Sequence, residues 1–315
     1  MSTILVTGAS GFVGQHIVPA LLDAGHHVVA LVRTPNSGEA VADRLTPAQR
    51  ADLELRTGDV TRPDSLPAAL AGVDGVVHLV AIPRDFRGGA DLRLINTEGT
   101  RAVVQAMTSA GVLRLVHMGA LGVQDEPDLH YASSKAKAEV LVRESGLDWT
   151  ILKPSLQFGP GDGFFNIIAD LVRLSPGIVP VPGNGGSRFQ PIHVDDVARV
   201  VVDSFADPTT IKSSFELGGP RYWTYKEITQ EVLRALDKRR LIVPMPVPII
   251  GLVARVSEFV RFPFPVATDQ LRQLKLDNIG PLDVIPTRFG FQPRGMEGQL
   301  AYLRQKKAEQ VAGGR

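Results

Sequence analysis

A tyrosine and a lysine four residues apart, Tyr131 and Lys135, are the side chains of this 315-residue sequence best suited to proton transfer. Four residues are about one helical turn, so both side chains would lie on one face of a helix. A free tyrosine has a pKa of about 10, too high for an efficient base at neutral pH, and a neighbouring ammonium would lower it. The pair predicts a general acid/base in which Tyr131 transfers the proton and Lys135 tunes its pKa.

A glycine-rich turn stands near the start of the chain, where Gly8, Gly11 and Gly14 follow the apolar segment Thr3–Thr7. The first glycine permits a tight turn, the second lets the backbone approach a pyrophosphate, and the third allows close packing of helix and strand. The N-terminus of the following helix would attract the phosphates. The turn predicts dinucleotide binding, and the alternative is a tight turn without a ligand. The predicted contact residues are Gly8, Ser10, Gly11, Phe12, Val13 and Gly14.

The end of the second predicted strand indicates which dinucleotide would bind. In NAD sites an acidic residue about 20 residues beyond the glycines holds the ribose 2′-hydroxyl. Here the strand ends in Arg33, and no carboxylate follows it before Glu39. Arg33 is placed to meet a 2′-phosphate, with Thr34 and Ser37 as donors, so NADP(H) is favoured over NAD(H); a solvated arginine is the alternative. Lys135 would also hydrogen-bond the nicotinamide ribose.

Alternating strands and helices carry these residues in the first half of the chain. Short runs rich in Val, Ile and Leu alternate with amphipathic stretches, which is the pattern of a parallel sheet covered on both faces. We therefore expect an α/β protein with a Rossmann-type doubly wound parallel sheet and a smaller, discontinuous C-terminal lobe. The predicted strands are Thr3–Thr7, His27–Val32, Leu53–Arg56, Gly75–Val80, Leu113–Met118 and Trp149–Leu152, and the predicted helices are Phe12–Ala24, Asp91–Ala110 and Tyr131–Glu144.

Beyond Pro154 the pattern loosens, and segments rich in Gly and Pro surround one predicted helix. A strand and a helix return at Phe189–Ala206 and are expected to rejoin the main sheet, and a final helix is expected near Met296–Lys307. The predicted domains are residues 1–155 plus 187–213 for the dinucleotide and residues 156–186 plus 214–309 for a substrate or partner.

In these motifs the sequence resembles the short-chain dehydrogenase/reductase superfamily, in its extended or atypical branch of NAD(P)-dependent epimerase/dehydratase-like proteins. The resemblance covers nearly the whole chain. Besides the glycine turn and the Tyr131/Lys135 pair, it rests on Asp59-Val60, Asn96 with Gly99-Thr100, Lys153-Pro154-Ser155 and His193–Ala198.

The resemblance implies roles for residues that spacing alone does not single out. Asp59, followed by Val60, would lie beside the adenine, and Ala81 would follow the strand that lines the cofactor. Asn96 would belong to the catalytic group and support a proton path. Pro154 would lie near the nicotinamide.

One catalytic position departs from the pattern of the superfamily. Active members usually carry Ser or Thr about a dozen residues before the tyrosine, where it polarises the substrate carbonyl, but the expected position here is Gly119. Loss of one such donor typically costs about 10²–10³ in rate. Ser133, Gln124, His130 or a water are possible substitutes, and the sequence does not select among them.

A closer resemblance concerns the second lobe, where Phe158–Asn166, Thr268–Arg272 and Asp277-Asn278 look like the NADP(H)-binding accessory subunit of respiratory complex I and its bacterial relatives. That family is implied to bind NADP(H) tightly and, in the mitochondrial complex, to serve structure more than turnover. This gives two hypotheses: an NADP(H)-dependent oxidoreductase, or a non-catalytic structural or assembly subunit of a respiratory complex. The intact Tyr131/Lys135 pair favours the enzyme and Gly119 the subunit; a redox sensor is a third reading.

Aromatic residues suggest the class of substrate. An aromatic, weakly charged pocket would suit a quinone, enone or isoprenoid-like molecule better than a diphosphate sugar, although these rings could equally form ordinary core. The Arg-Asp pair common in nucleotide-sugar enzymes is replaced by Arg188-Phe189. The rings in question are Phe158, Phe164, Phe165, Tyr222 and Trp223.

An apolar stretch, Leu241–Ala254, has the basic residues Lys238–Arg240 before it and Arg255 and Arg261 after it. It is too short to span a bilayer. The segment Leu241–Phe264 would lie on a membrane surface or a respiratory complex, or would form the core of the second lobe. We otherwise expect a cytoplasmic protein with a small apolar substrate.

Composition excludes several other classes of function. The sequence has no cysteine, so disulfides, thiolate catalysis and cysteine-bound metals are excluded. The adjacent His26 and His27 would point to opposite faces of a strand, so we expect no metal site. The 34 Lys and Arg nearly balance the 33 Asp and Glu, which argues against binding to nucleic acid.

Overall fold

The computed structural model describes residues 1–85, 87–246 and 277–306. The chain divides into two compact units. Met1–Pro154 and Val194–Leu217 form the first unit, and Ser155–His193 with the described residues from Gly218 onward form the second.

The strands of the described residues alternate with helices in the first half of the chain. The strands are β1 (Thr3–Thr7), β2 (His27–Val32), β3 (Leu53–Thr57), β4 (Gly75–His78), β5 (Arg114–Met118), β6 (Asp148–Pro154), β7 (Gln157–Phe158), β8 (Ile178–Pro182), β9 (Arg188–Phe189), β10 (Ile192–His193), β11 (Ser213–Leu217), β12 (Trp223–Thr224) and β13 (Leu241–Met245). The predicted bounds of β1 and β2 agree with the structure, and those of β3 to β6 differ by one or two residues at an end.

The helices are α1 (Gly14–Asp23), α2 (Pro35–Ala42), α3 (Pro47–Ala51), α4 (Leu66–Ala69), α5 (Ala90–Leu92), α6 (Gly99–Ala110), α7 (His130–Glu144), α8 (Phe164–Leu174), α9 (Val194–Ala206), α10 (Tyr225–Ala235) and α11 (Val284–Phe289). The predicted helix Asp91–Ala110 is not one α-helix, because a π-helical segment, Arg93–Glu98, joins α5 to α6. The final helix predicted near Met296–Lys307 is a 3₁₀ segment, Gln299–Arg304, within the described residues.

Among the described residues, seven strands of the first unit form one parallel sheet in the order β11-β6-β5-β4-β1-β2-β3. The order reverses at β1 and β4, and in such sheets ligands bind beside the carboxyl ends of the strands at the reversal. The predicted Rossmann-type doubly wound sheet is therefore confirmed.

Both faces of this sheet are covered by helices. Leu5, Val76 and Leu115 are register neighbours on one face, where α4, α6 and α7 pack on them. The next residues along the strands, such as Val77 and Val116, point to the opposite face and are equally buried. Because no strand of the sheet interior faces water, continuous apolar runs rather than alternating ones are its sequence signal.

The second unit has a separate core and short ladders, with β10 on β7, β12 on β9 and β13 on β8. The predicted return of the chain to the main sheet at Phe189 is wrong, because Phe189 pairs with Trp223 inside the second unit. The strand that adds to the edge of the main sheet is β11, beside β6. Residues 187–193 therefore lie in the second unit and residues 214–217 in the first.

Part of the segment Leu241–Phe264, predicted to lie on a membrane surface or a respiratory complex or to form core, is outside the described residues. Leu241–Met245 forms β13, and the remainder of Leu241–Phe264 after residue 246 is not described, nor is Thr268–Arg272. Within the described ranges, no helix has both the length and the apolar character needed to cross a membrane.

Two histidines are buried on the sheet face that α6 and α7 cover. His78 and His117 are register neighbours on β4 and β5, and their ring centroids lie 5.4 Å apart. The His78 ring bonds to the hydroxyls of Thr7 at 2.7 Å and Thr100 at 3.0 Å. Neither ring nitrogen of His117 has a hydrogen-bond partner within the described residues. Burial lowers the pKa of His78 to about 3 and that of His117 well below its usual value, so both rings are neutral at pH 7.

We expect His117→Leu to raise the free energy of unfolding at pH 7 by about 1 kcal/mol, because it removes a buried ring whose nitrogens are unsatisfied. His78→Leu is the matched control and should lower it by about 2 kcal/mol, since Thr7 and Thr100 lose their partner. Urea unfolding measures both values. If His117→Leu lowered the free energy of unfolding as much as His78→Leu does, the His117 ring would have to make hydrogen bonds that the structure does not show.

The His117→Leu variant should also change how the stability of the protein depends on pH. Because the folded-state pKa values are depressed, the unfolded chain binds the protons first, so stability is complete above pH 6.5 and falls as the pH drops from there toward 3. We expect the fall to be shallower in His117→Leu by about 1.4 kcal/mol per pH unit. Equal slopes in the variant and the parent protein would contradict a neutral, buried His117.

Candidate functional site

The glycine turn between β1 and α1 has no room for side chains at two of its glycines. Gly8 has φ +76°, and a Cβ there would lie 3.1 Å from the Val80 nitrogen. A Cβ on Gly14 would lie 2.3 Å from the Gly8 oxygen and 2.5 Å from the Ala9 oxygen. Gly11 differs, because its φ is ordinary and the nearest atom to a Cβ is the Gly8 oxygen at 3.2 Å. Gly8 and Gly14 thus shape the turn, whereas Gly11 leaves exposed backbone.

The N-terminus of α1 is open to a ligand. Val13 occupies the position before the helix, and no side chain caps the first turn. Ser10 and Gly11 are exposed, and Phe12 and Val13 are partly exposed. Uncapped N–H groups together with the helix dipole form an anion site, so these residues fit the phosphates of a dinucleotide.

The end of β2 carries an exposed Arg33. Thr34 and Ser37 form the capping box of α2, and the Ser37 hydroxyl donates to the Thr34 carbonyl oxygen at 2.8 Å. The two predicted phosphate donors are therefore used in capping the helix, which leaves Arg33 as the cation at this strand end. After β3, the Asp59 carboxylate accepts from the N–H and the hydroxyl of Thr61, and Val60 is buried next to it.

Asn96 lies in the π-helical segment and is buried. Its side-chain oxygen accepts from the Ile82 N–H at 2.8 Å, and its amide nitrogen donates to the Ile82 oxygen at 3.1 Å and to the Ser134 hydroxyl at 3.0 Å. Ser134 in turn donates to the Tyr131 carbonyl oxygen. Asn96 thus fixes the exposed segment that begins at Ala81 after β4 and ties it to the first turn of α7.

Tyr131 and Lys135 lie one turn apart on α7, as predicted. The Lys135 side chain is buried, and its ammonium donates to the Met118 carbonyl oxygen, at the end of β5, at 2.5 Å. Burial lowers the pKa of Lys135 to about 8. Burial raises the pKa of Tyr131 to about 12, and the Glu139 carboxylate adds to the rise. The lysine does not lower the tyrosine pKa in this structure, so the phenol is protonated at neutral pH.

The structure accounts for the remaining predicted positions around the pair. Pro154 ends β6 and is buried, and its carbonyl oxygen accepts from the Leu121 N–H at 3.0 Å. Gly119 has no side chain to polarise a carbonyl, and its N–H donates to the Leu152 oxygen. Ser133, a possible substitute for the missing hydroxyl, donates to the Asp125 carboxylate at 2.5 Å. That serine is therefore committed elsewhere.

Three polar groups near the pair were not predicted from the sequence. Ser134 links Asn96 to α7, the His78–His117 pair lies beneath the helix, and Glu139 is buried one turn after Lys135. The four-residue spacing of Lys135 and Glu139 was a usable signal, because oppositely charged residues at this spacing share a helix face. No sequence signal distinguishes the histidines from other strand residues.

Four of the five aromatic residues proposed for an apolar pocket belong to the core of the second unit, and the fifth, Tyr222, is exposed. Phe158 and Phe165 are fully buried, and Trp223 is buried with the Arg221 guanidinium 3.7 Å from its ring centroid. Phe164 packs against the same core, and Tyr222 is exposed and donates to the Gly280 oxygen. The rings form ordinary core, so they do not indicate a ligand pocket.

The parallel sheet and the glycine turn define a Rossmann-type dinucleotide-binding protein. The chain belongs to the NAD(P)H-binding family, whose family model matches residues 8–208.

Relatives of known name agree with this assignment. The chain is 25% identical to NADH dehydrogenase [ubiquinone] 1 alpha subcomplex subunit 9 of Arabidopsis thaliana, over 88% of this chain and 68% of that protein, which confirms the predicted similarity to a complex I subunit. It is 27% identical to the ceramide reductase of Caulobacter vibrioides, over 91% and 90%. The dTDP-glucose 4,6-dehydratase of Streptomyces venezuelae, solved with NAD bound, shares the fold with a TM-score of 0.72 and 23% identity over 98% and 97% of the two chains.

Alanine at two glycines of the turn should have different effects. Gly14→Ala is expected to lower the free energy of unfolding by about 3 kcal/mol, because two backbone oxygens would have to move. Gly11→Ala should cost less than about 1 kcal/mol and weaken dinucleotide binding about tenfold or more, because its methyl group adds bulk where the backbone is exposed. Urea unfolding and fluorescence titration with NADPH check both. Equal losses of stability would contradict the assignment of Gly14 to structure and Gly11 to binding.

Proposed function

We propose that this protein is an NADP(H)-dependent oxidoreductase of the short-chain dehydrogenase/reductase type, acting on an apolar carbonyl- or quinone-type substrate. The observation that carries the proposal is the pairing on α7 of a half-buried tyrosine with a buried lysine, at the carboxyl edge of a sheet whose glycine turn fits a dinucleotide. The proposed cofactor-binding residues are Gly8, Ser10, Gly11, Phe12, Val13, Gly14, Arg33, Asp59, Val60, Ala81, Lys135 and Pro154.

When bound, the dinucleotide would supply the hydride that carbonyl reduction requires. Tyr131 would donate its phenolic proton to the carbonyl oxygen as negative charge develops there, and would recover a proton from solvent. A pKa of about 12 keeps Tyr131 protonated at pH 7, which suits the direction of reduction. Asn96 would act as a positioning residue, because its bonds tie Ile82 to Ser134 in the first turn of α7, where the tyrosine lies.

The apolar substrate is supported by a relative rather than by a pocket. The relative from Caulobacter vibrioides is named a ceramide reductase, and the alignment spans about nine tenths of both chains. Four of the five aromatic rings that suggested an apolar substrate form core, so they do not support it.

A second candidate function is a non-catalytic NADP(H)-binding subunit of a membrane respiratory complex. Gly119 favours it, because the usual hydroxyl donor is missing, and so does the relative named as a complex I subunit. In that role the dinucleotide would stabilise the fold, by an amount that grows with its concentration above the dissociation constant.

We expect Tyr131→Phe to lower kcat by about 10²–10⁴ while leaving the dissociation constant of NADPH unchanged, because only proton transfer is removed. Anaerobic NADPH oxidation against quinones, enones, aldehydes and long-chain ketones measures kcat. Tyr222→Phe, at an exposed tyrosine, is the matched control. Full turnover in Tyr131→Phe would rule out this mechanism, and tight NADPH binding without turnover on any substrate would favour the structural subunit.

Arg33→Ala should weaken NADPH binding about tenfold to a hundredfold and leave NADH binding unchanged, because it removes a charge-assisted hydrogen bond to the 2′-phosphate. Arg101→Ala, at an exposed arginine paired with Glu98 on the first unit, is the control. Fluorescence titration with both dinucleotides gives the constants. An equal loss for NADH and NADPH would mean that Arg33 does not read the 2′-phosphate.

A further inference from the structure

The space beside Gly119 is filled by a carboxylate from another element. A Cβ on Gly119 would lie 2.6 Å from the Glu139 Oε1 atom, 3.1 Å from Lys153 Cγ and 3.2 Å from Ile151 Cγ2. The first distance is shorter than any real contact between a Cβ and an oxygen, so a serine here would have to displace the glutamate. The glycine that interrupts the superfamily pattern therefore makes room for Glu139.

Glu139 is buried among positive charges. Its Oε2 atom accepts from the Arg143 guanidinium at 3.2 Å. Oε1 makes no hydrogen bond of good geometry within the described residues, although the Ala120 N–H lies close enough to the carboxylate to lower its pKa. Burial raises the pKa of Glu139, and the charges of Lys153, Arg143 and Lys135 oppose the rise. A buried carboxylate is costly unless nearby cations and N–H groups compensate it, so the placement of Glu139 depends on them.

The charged groups around Glu139 come from every element packed against it. Lys135 and Arg143 belong to α7 and Lys153 to β6, where it also pairs with Glu216 of β11 at 3.5 Å. On β5 the nearby titratable side chain is His117, which burial keeps neutral. Among the described residues, Glu139 is the carboxylate whose charge acts on Lys135 from one helical turn away, and this charge raises the pKa of both Lys135 and Tyr131.

We propose that Glu139 is a positioning residue that occupies the room left by Gly119 and acts as the buried counter-ion of Lys135 beside Tyr131. The role in catalysis rests on the proposed reductase function, whereas the counter-ion role does not. A hydroxyl at position 119 would touch the substrate directly. In this arrangement the Glu139 carboxylate takes the place of that hydroxyl beside Gly119, and its charge acts through the tyrosine and the lysine.

Two variants of Glu139 separate charge from shape. Glu139→Gln keeps the shape and removes the charge, and Glu139→Asp keeps the charge on a shorter side chain. We expect the Lys135 titration midpoint, measured by NMR with ¹³C-labelled lysine and assigned with Lys135→Met, to fall by about 1 pH unit in Glu139→Gln and to stay near the parent value in Glu139→Asp. If shape alone mattered, Gln would behave like the parent and Asp would not, which would overturn the proposal.

The pH profile of turnover tests the catalytic part. Because the Glu139 charge raises the Tyr131 pKa, its removal should move the loss of reductase activity at high pH to lower pH in Glu139→Gln, and not in Glu139→Asp. If the NMR midpoint moves as expected but no variant and no parent protein turns over, the reductase proposal fails and the counter-ion role stands. If the midpoint does not move, the counter-ion role fails whatever the activity.

A double-mutant cycle tests whether Glu139 occupies the space beside Gly119. Gly119→Ser should lower the thermal midpoint by about 4 °C in the parent protein and by less than half as much in Glu139→Ala, because the serine then enters a vacated site. Should Glu139→Ala fail to fold, Glu139→Asp gives the same comparison with a retracted carboxylate. Equal losses in both backgrounds would show that Gly119 does not accommodate Glu139.

Discussion

A buried ammonium group sets the constraints on the rest of the first unit. Lys135 is almost completely removed from solvent, and its one hydrogen bond among the described residues goes to the carbonyl oxygen of Met118 at the end of β5. An isolated charge in such a place is strongly unfavourable, so the elements around it must supply compensating groups. That requirement favours the packing of α7 against the carboxyl edge of the sheet, and it favours an acidic residue at position 139.

Polar and charged side chains near Lys135 form a row across one face of the sheet. Thr7, His78, His117 and Lys153 come from neighbouring strands, and a parallel sheet brings the carboxyl ends of these strands to one edge. Close to the Lys135 charge, the histidines remain neutral, because both burial and the ammonium lower their pKa values. This face of the sheet is therefore apolar along most of the strands and becomes polar at their carboxyl ends, where a ligand would bind.

Sequence patterns predicted the parts of the molecule that depend on local rules. The bounds of β1 and β2 agree with the structure because each strand is a continuous apolar run that ends at a turn. The strand at Phe189 looked equivalent, but its pairing with Trp223 depends on residues far along the chain. The π-helical segment at Asn96 was also missed, and the bond that Asn96 makes there to the Ile82 N–H is a tertiary contact that local propensity does not predict.

At the candidate site the sequence identified single residues but not their coupling. Tyr131 and Lys135 were found from their spacing, whereas the expected fall of the tyrosine pKa did not occur, because burial and the Glu139 charge raise it. Gly119 indicated only a missing hydroxyl. In the structure, the Glu139 carboxylate lies where a side chain at position 119 would be. This contact joins the end of β5 to α7, and no rule of sequence spacing predicts it.

The energetics of this cluster bear on the choice between an enzyme and a structural subunit. Replacing a buried ion pair by well-packed apolar residues is often neutral or stabilising, so buried charges are a poor means of stabilising a fold. A protein that used its dinucleotide only to hold its structure together would gain nothing from a buried Lys135, a buried Glu139 carboxylate and a His117 ring that has no hydrogen-bond partner among the described residues. Their combined cost is intelligible if the cluster controls a proton at Tyr131, and this is the physical reason to prefer the reductase.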